Sequence, residues 1–399
     1  MALGLSKRIQ QIAPSPTLSM DTKTKALIAS GVDVVNLTAG EPDFPTPAAG
    51  SLAGIQAIVD NFTKYTAVAG IPELRRAIAE KLRADNGLSY EPAEIAVSAG
   101  AKQSLYNIFT AILDPGDEVL LPAPYWVSYP EQIRLCGGVP VVLETTGESG
   151  FKITPAQLER AVTPRTKAVL INSPSNPTGA AYTRAEMEAL AAVIERHPLY
   201  VVSDEIYEQL TYDVEHYSVA RFSPALRERT FVVNGFSKTH AMTGWRIGYV
   251  AAPKPLIDAM SNFQSHTTTC SSVSQRAALG AIQASPAAMV AEYRRRRDFV
   301  LAALAELPGI RCARPAGAFY VFPNAAAWTG RSLRRESGET ARVETVDQLC
   351  ELLLTEARIA VVPGGGFGAP DNFRVSYATS MANLERAMQR LAAFAQRLD

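Results

Sequence analysis

The feature that most restricts the fold is a series of short apolar, β-branched runs at 95–98, 118–121, 168–172, 200–203, 231–233 and 247–251, with helix-like stretches between them. Strands that alternate with helices predict an α/β architecture whose sheet is mainly parallel. Two of the runs, VLIN and YVVS, are almost continuously apolar, as expected of strands covered on both faces. Helix starts are legible as well. Thr154 with Pro155 predicts an N-cap followed by proline at the first helical position, and Thr183 with Glu186 predicts a capping box.

Open parallel sheets bind ligands beyond the carboxyl ends of their strands. Those ends read Ser98-Ala99-Gly100, Asn172 to Asn176, Asp204-Glu205 and Asn234 to Lys238, so polar groups converge on one edge. Past residue 290 the pattern changes to helix, short strands and helix, with a polar stretch at 324–346 read as an insertion or loop. The chain has 399 residues, which suits one large domain and one smaller one. The expected division is 46–295 for the large domain, with 1–45 and 296–399 together forming the small one.

Lysine plus arginine equals aspartate plus glutamate at 39 each, so no global field draws nucleic acid or an anionic membrane. The densest basic run, RRRR at 294–297, is expected to be the solvated face of a helix. Cys136, Cys270, Cys312 and Cys350 form no CxxC pair, which argues against a zinc site or disulfide framework and for a reduced compartment. No signal-like segment or membrane-length run occurs, and a cytoplasmic protein is expected. GGGFG at 364–368 lacks a dinucleotide fingerprint and is read as a tight loop, and no metal spacing is present.

The strand-end residues carry the chemistry. Asp204, directly after YVVS, either pairs with a cation in a buried edge or caps a following helix. Tyr207 reaches the same side if a helical turn follows. Lys238 alone reads more readily as a solvated cation than as a desolvated amine nucleophile. Arg246 and the Gly100-Ala101-Lys102 turn at a helix start add a phosphate site. A carboxylate for a ring nitrogen, a lysine for an aldehyde and a phosphate cradle together describe pyridoxal 5'-phosphate.

Seven motifs then fall in a familiar order: LTAGEPDF (37–44), KYTAVAGIPELR (64–75), PAPYWVSYP (122–130), NSPSNPTG (172–179), SDEIYE (203–208), NGFSKTHAMTGWRIGY (234–249) and FRVSYATS (373–380). Over nearly its whole length the chain resembles the class I, fold type I pyridoxal-phosphate aminotransferases, most closely the bacterial aspartate branch. The resemblance implies a large domain with a mainly parallel sheet sandwiched by helices, plus a small α+β domain from the N- and C-terminal segments. It implies a homodimer with shared active sites, acting on amino acids and 2-oxo acids and serving amino-acid metabolism.

Residue by residue, the resemblance implies that Lys238 bonds the cofactor's aldehyde and moves the substrate's α-proton, and that Asp204 pairs with the ring nitrogen. Asn176 and Tyr207 would bond the ring's 3-oxygen, and Trp126 would stack on the ring. The phosphate would rest on Gly100, Ala101, Lys102, Ser237, Arg246 and the other subunit's Tyr65. Arg374, with the Gly40 backbone nearby, would grip the substrate's α-carboxylate, while Ser15, Thr17 and Lys102 would recognise a distal one. A cis bond is expected before Pro177. Aspartate and 2-oxoglutarate are the expected substrates; a different donor range, including prephenate or aromatic compounds, and a carbon–sulfur β-lyase are the alternatives. Ala13 stands where prephenate-using relatives often carry lysine, Gly235 replaces a phosphate-binding serine of the animal enzymes, and His266 in QSHTTTC departs from the expected residue.

Overall fold

The computed structural model describes residues 4–14 and 16–399, leaving aside the side chains at 7, 8 and 16. Its centre is a seven-stranded sheet: β1 (Ile95–Ser98), β2 (Glu118–Pro122), β3 (Val139–Leu143), β4 (Thr166–Asn172), β5 (Tyr200–Asp204), β6 (Thr230–Gly235) and β7 (Gly248–Ala251). The strand order is β1-β7-β6-β5-β4-β2-β3. Strands β2 to β6 run parallel, while β7 is antiparallel to both β1 and β6. The expected mainly parallel α/β sheet is therefore present. Apolar side chains of β4, β5 and β6 are buried on both faces between helical layers.

Strand β3 is not among the apolar runs expected from the sequence. VPVVL carries a proline and is partly exposed along its length, which an edge strand tolerates because one side of its backbone needs no partner. Reversal of β7 has a functional consequence. Its amino end lies at the same edge as the carboxyl ends of its neighbours, Gly248 facing both Ser98 and Gly235, so Arg246 arrives where the polar groups converge.

The expected capping box at Thr183 forms, and the expected N-cap Thr154 forms one too, with Gln157. Thr154 Oγ1 accepts from the Gln157 amide at 3.2 Å and Thr183 Oγ1 from the Glu186 amide at 3.3 Å, each worth about 1 kcal/mol.

A second core gathers Met20, Val35 and Leu37 with Tyr293, Trp328, Leu349, Phe373 and Leu384. It contains a three-stranded antiparallel sheet of β8 (Tyr320–Val321), β9 (Val362–Pro363) and β10 (Phe373–Ser376), with β10 in the middle. The early segment Val35–Asn36 joins by pairing in parallel with Ile359–Ala360. Stretch 324–346 is not a plain loop. It holds a short 3-10 turn at Ala326–Trp328 and a hairpin of Ser332–Arg334 with Thr340–Arg342, pinned by buried Trp328, Leu333 and Val343. Polar neighbours hid these widely spaced anchors.

The arginine run also departs from expectation. Along the helix Ala287–Ala305, Arg296 and Arg297 are buried, Arg297 completely. Each of the two pairs with carboxylates, Arg296 with Asp43 and Glu292, Arg297 with Asp213 and Asp298. Buried guanidinium groups persist when paired in this way. No disulfide joins the four cysteines, and no described helix is long and apolar enough to cross a membrane.

Candidate active site

At the carboxyl edge of the sheet a cavity of about 480 Å³ is lined by Gly40, Ala101, Lys102, Trp126, Asn176, Asp204, Tyr207, Ser237, Lys238, Arg246 and Arg374, with Thr17 at its border. Its size suits a cofactor or metabolite. A larger groove of about 740 Å³ adjoins it through Lys102 and Arg246 but contains neither Asp204, Lys238 nor Arg374. The smaller cavity is therefore the candidate site.

Lys238 follows β6 on the turn that returns the chain to β7. Its Nζ donates to the Gly40 carbonyl and stands 5.9 Å from the ring centres of Tyr207 and Phe319. Burial, then the Arg374 guanidinium, lowers its pKa to about 8. An ammonium near its titration point at physiological pH can shed its proton and attack a carbonyl.

Asp204 ends β5 and is buried. No helix follows it: residues 206–209 form a turn, so the helix-cap alternative fails. One carboxylate oxygen accepts from Tyr129 Oη at 2.7 Å and the other from the Ile206 amide at 3.2 Å. Among the described residues no cation pairs with it within 4 Å, and burial raises its pKa to about 6. A buried carboxylate in this state would be stabilised by a protonated ring nitrogen. Tyr207 reaches the cavity from this turn, its hydroxyl 3.1 Å from that of Tyr320.

The phosphate-sized corner is built by close backbone approach. Helix Ala101–Ile112 opens at Gly100, whose φ is +87°, and no side chain caps it. A Cβ on Gly100 would come within 2.3 Å of Arg246 Nη2, and one on Gly248 within 2.2 Å of the Ala101 nitrogen. Both positions require glycine, which brings the helix start, Ser237 and Arg246 together. Arg246 donates to the carbonyls of Thr243 and Ala99 at 2.9 and 3.3 Å, and no carboxylate among the described residues neutralises it. At Gly235 a Cβ would meet Gly248 Cα at 2.9 Å and the Ile247 carbonyl at 3.0 Å, so packing between β6 and β7 leaves no room for serine there.

Arg374, on β10, is only 2% exposed. It donates to Asn176 Oδ1 at 2.9 Å and to the Thr38 carbonyl at 2.8 Å, while its Nε has no partner. Tyr320 and Phe367 rings flank the guanidinium at 4.5 and 5.2 Å. No described carboxylate balances its charge, so the cavity is prepared for an anion. Asn176 precedes a cis proline bond, as expected. Trp126 meets Tyr129 edge-on and carries Lys102 Nζ over its ring at 4.9 Å.

The residues present fit pyridoxal phosphate: a carboxylate without a cation, an amine of lowered pKa and a cradle for a phosphate. Tyr65, expected at this site from the other subunit, lies outside the cavity of its own chain. It is fully exposed beside Thr63 and Cys270, away from the cavity. Ser15 lies outside the described residues. His266 is exposed at the end of the helix Lys254–Ser265, so it does not pack within its own chain, and Ala13 lines the adjoining groove. Sequence reasoning missed Tyr129, Tyr320 and Glu41, all lining the cavity. Tyr129 could have been found from its place three residues after Trp126, on the first turn of a helix.

Behind Asp204, the buried Glu205 and Glu208 and the partly buried His216 bring ligand atoms within 4.8 Å of one another. Lys81 and Asn86 hold Glu208, and His216 Nε2 lies 2.9 Å from Glu205. This cluster carries its own cation and supports the Asp204 turn.

Comparison with known proteins agrees with the geometry. Residues 32–391 match the family described as aminotransferase class I and II. The aspartate aminotransferase of Geobacillus stearothermophilus is 49% identical, covering 98% of this chain and 99% of that one. The aspartate/prephenate aminotransferase of Thermus thermophilus is 48% identical with 98% of each covered. A crystal structure of the Rhizobium meliloti aspartate aminotransferase superposes with a TM-score of 0.95 at 44% identity, covering both chains completely. With the fold, the site and these relatives in agreement, the chain belongs to the class I and II aminotransferases, enzymes that depend on pyridoxal 5'-phosphate.

Proposed function

We propose that this aminotransferase moves the amino group of L-aspartate to 2-oxoglutarate, releasing oxaloacetate and L-glutamate. One observation carries the reading: besides Lys238 and the Arg246 of the phosphate corner, the cavity is lined by two further cations with no carboxylate partner among the described residues, buried Arg374 and Lys102 at the mouth. A dicarboxylate satisfies both. Lys102 has a lowered pKa, from partial burial and then from Arg246, so an anion beside it is favoured. The relatives named above are aspartate enzymes or aspartate/prephenate enzymes.

The cofactor, when bound, supplies an electrophilic aldehyde and a ring that accepts the electron pair left by the departing α-proton. Asp204, held by Tyr129, would pair with the ring nitrogen and keep it protonated. Lys238 would hold the aldehyde through its amine and, once that amine is free, would carry the proton to and from the substrate's α-carbon. Asn176 and Tyr207 would hold the ring's oxygen, Trp126 would cover its face, and Gly100, Ala101, Lys102, Ser237 and Arg246 would hold the phosphate. Arg374 orients the α-carboxylate by its two-pronged fork, with Gly40 beside it. Thr17 borders the distal end.

Replacing Lys102 with alanine tests the substrate reading. The expected result is a fall in kcat/KM for aspartate of about ten- to a hundredfold relative to alanine as donor. An unchanged ratio removes Lys102 from specificity.

The site is read as shared within a homodimer. On the helix Ala48–Val59, Leu52, Ile55, Ile58 and Val59 are exposed, whereas Gly50, Gly54 and Ala57 pack inward. An apolar face of this kind beside fully exposed Tyr65 suits a second copy of the chain, whose Tyr65 would complete the phosphate site. Sedimentation at twice the chain mass is expected; a stable monomer at micromolar concentration contradicts the reading.

A further inference from the structure

The arginine run takes no part in the chemistry above, yet it reaches segments that border the cavity. Arg294 donates to the Tyr212 carbonyl and Arg297 to that of Pro315 at 2.9 Å. Arg296 reaches further, into the N-terminal part of the chain. Its Nη1 stands 2.8 Å from both carboxylate oxygens of Asp43, and its Nε donates to Glu292 at 2.8 Å. Tyr293 adds a hydroxyl bond to Asp43 at 3.2 Å and an edge-on contact with Phe44 at 5.5 Å.

Asp43 lies three residues after Gly40, on a segment that forms one wall of the cavity. That segment is anchored along its length: the Leu37 carbonyl accepts from the Ser376 amide at 2.9 Å and the Thr38 carbonyl from Arg374 at 2.8 Å. Next, the Gly40 carbonyl accepts from Lys238, and Glu41 accepts from Thr243 at 2.9 Å. Thr46 Oγ1 receives the Trp245 indole N–H at 3.0 Å. Asp43 is the anchor between Glu41 and Thr46, and its partner comes from the helix Ala287–Ala305 rather than from the sheet edge.

We infer that Arg296 is a positioning residue: by clamping Asp43 it fixes the Gly40 backbone against Arg374 and Lys238, in the geometry that a substrate's α-carboxylate requires. Displacement by about 1 Å at such a site costs on the order of a hundredfold in rate. The inference goes beyond the choice of aspartate and rests on the reading of Arg374 and Gly40 as the carboxylate grip. Both acidic partners are partly solvated, Asp43 at 28% and Glu292 at 27% exposure of the side chain, so water can hydrate them when the arginine is lost.

The test uses the cofactor-loaded enzyme and succinate, a dicarboxylate with no amino group to transfer, titrated by calorimetry. In Arg296→Met and in Asp43→Asn, succinate binding should weaken and KM for aspartate should rise, each about tenfold. Thermal midpoint and cofactor content should stay near wild type. The double variant should be no worse than the single ones, because one interaction is lost in all three. Arg296→Lys, which retains the charge without the fork, should fall between. Succinate affinity and KM within twofold of wild type in both single variants, while Arg374→Ala abolishes binding, overturns the inference. Unchanged binding in Arg374→Ala instead overturns the carboxylate grip, and the inference with it. If Arg296→Met does not fold, Asp43→Asn decides alone.

Discussion

Replacing Lys238 with alanine is expected to abolish transamination, by on the order of 10⁴-fold or more, together with the pH-sensitive visible absorption of the cofactor-loaded protein. Both effects follow from its place: a buried amine whose pKa is lowered to about 8, within the same cavity as Asp204 and the helix start at Ala101. A stability change of opposite sign should accompany the loss. Folding lowers this lysine's pKa from 10.5, so the full cost of burying its charge is present below about pH 8. Between pH 8 and 10.5 the folded form sheds the proton while the unfolded chain keeps it, and the cost disappears. The cofactor-free Lys238→Ala protein should therefore be more stable than wild type at pH 7, by up to about 3 kcal/mol, and no more stable near pH 10.5. Urea unfolding at the two pH values checks this. Retention of the visible band would remove Lys238 from the mechanism.

Arg374→Ala should lower kcat/KM for aspartate and 2-oxoglutarate alike, by about 10²–10⁴-fold, the equivalent of about 3–5 kcal/mol. The equality matters, because both substrates present the same α-carboxylate. Arg374 is buried, carries an unpartnered Nε and has no described carboxylate beside it. Its removal leaves a substrate anion in a desolvated site with no counter-charge. Arg374→Lys should recover only part of the loss, since an ammonium cannot form the paired bonds of the fork. Steady-state kinetics with each substrate varied in turn gives the answer. A loss seen with these dicarboxylates but not with alanine, which has no distal carboxylate, would place Arg374 at the distal carboxylate instead.

Much of this site was legible because chemistry fell at strand ends. Runs such as VLIN and YVVS announce buried parallel strands, and the polar residues that follow them have one edge to occupy. Asp204, Asn176 and Lys238 were found that way. What the sequence hid depended on contacts between distant segments. Tyr129 reaches Asp204 across 75 positions, and Tyr320 reaches Tyr207 across 113. Neither distance has a local signature. The arginine run misled for a related reason: four consecutive cations look like a solvated face until Asp43 and Asp213 arrive from elsewhere in the chain. Strand β3 was masked by Pro140 and by its exposure at the edge. Hairpin 332–342 was masked by charged residues around a single buried leucine.

The most direct test of aspartate transamination mixes the purified aldehyde form of the enzyme with one amino acid at a time and follows its visible spectrum. Aspartate and glutamate should convert it to the amine form at least about tenfold faster, per unit concentration, than alanine, phenylalanine or cysteine. Equal or faster conversion by an uncharged donor, or release of pyruvate and sulfide from cysteine without conversion, would contradict the account.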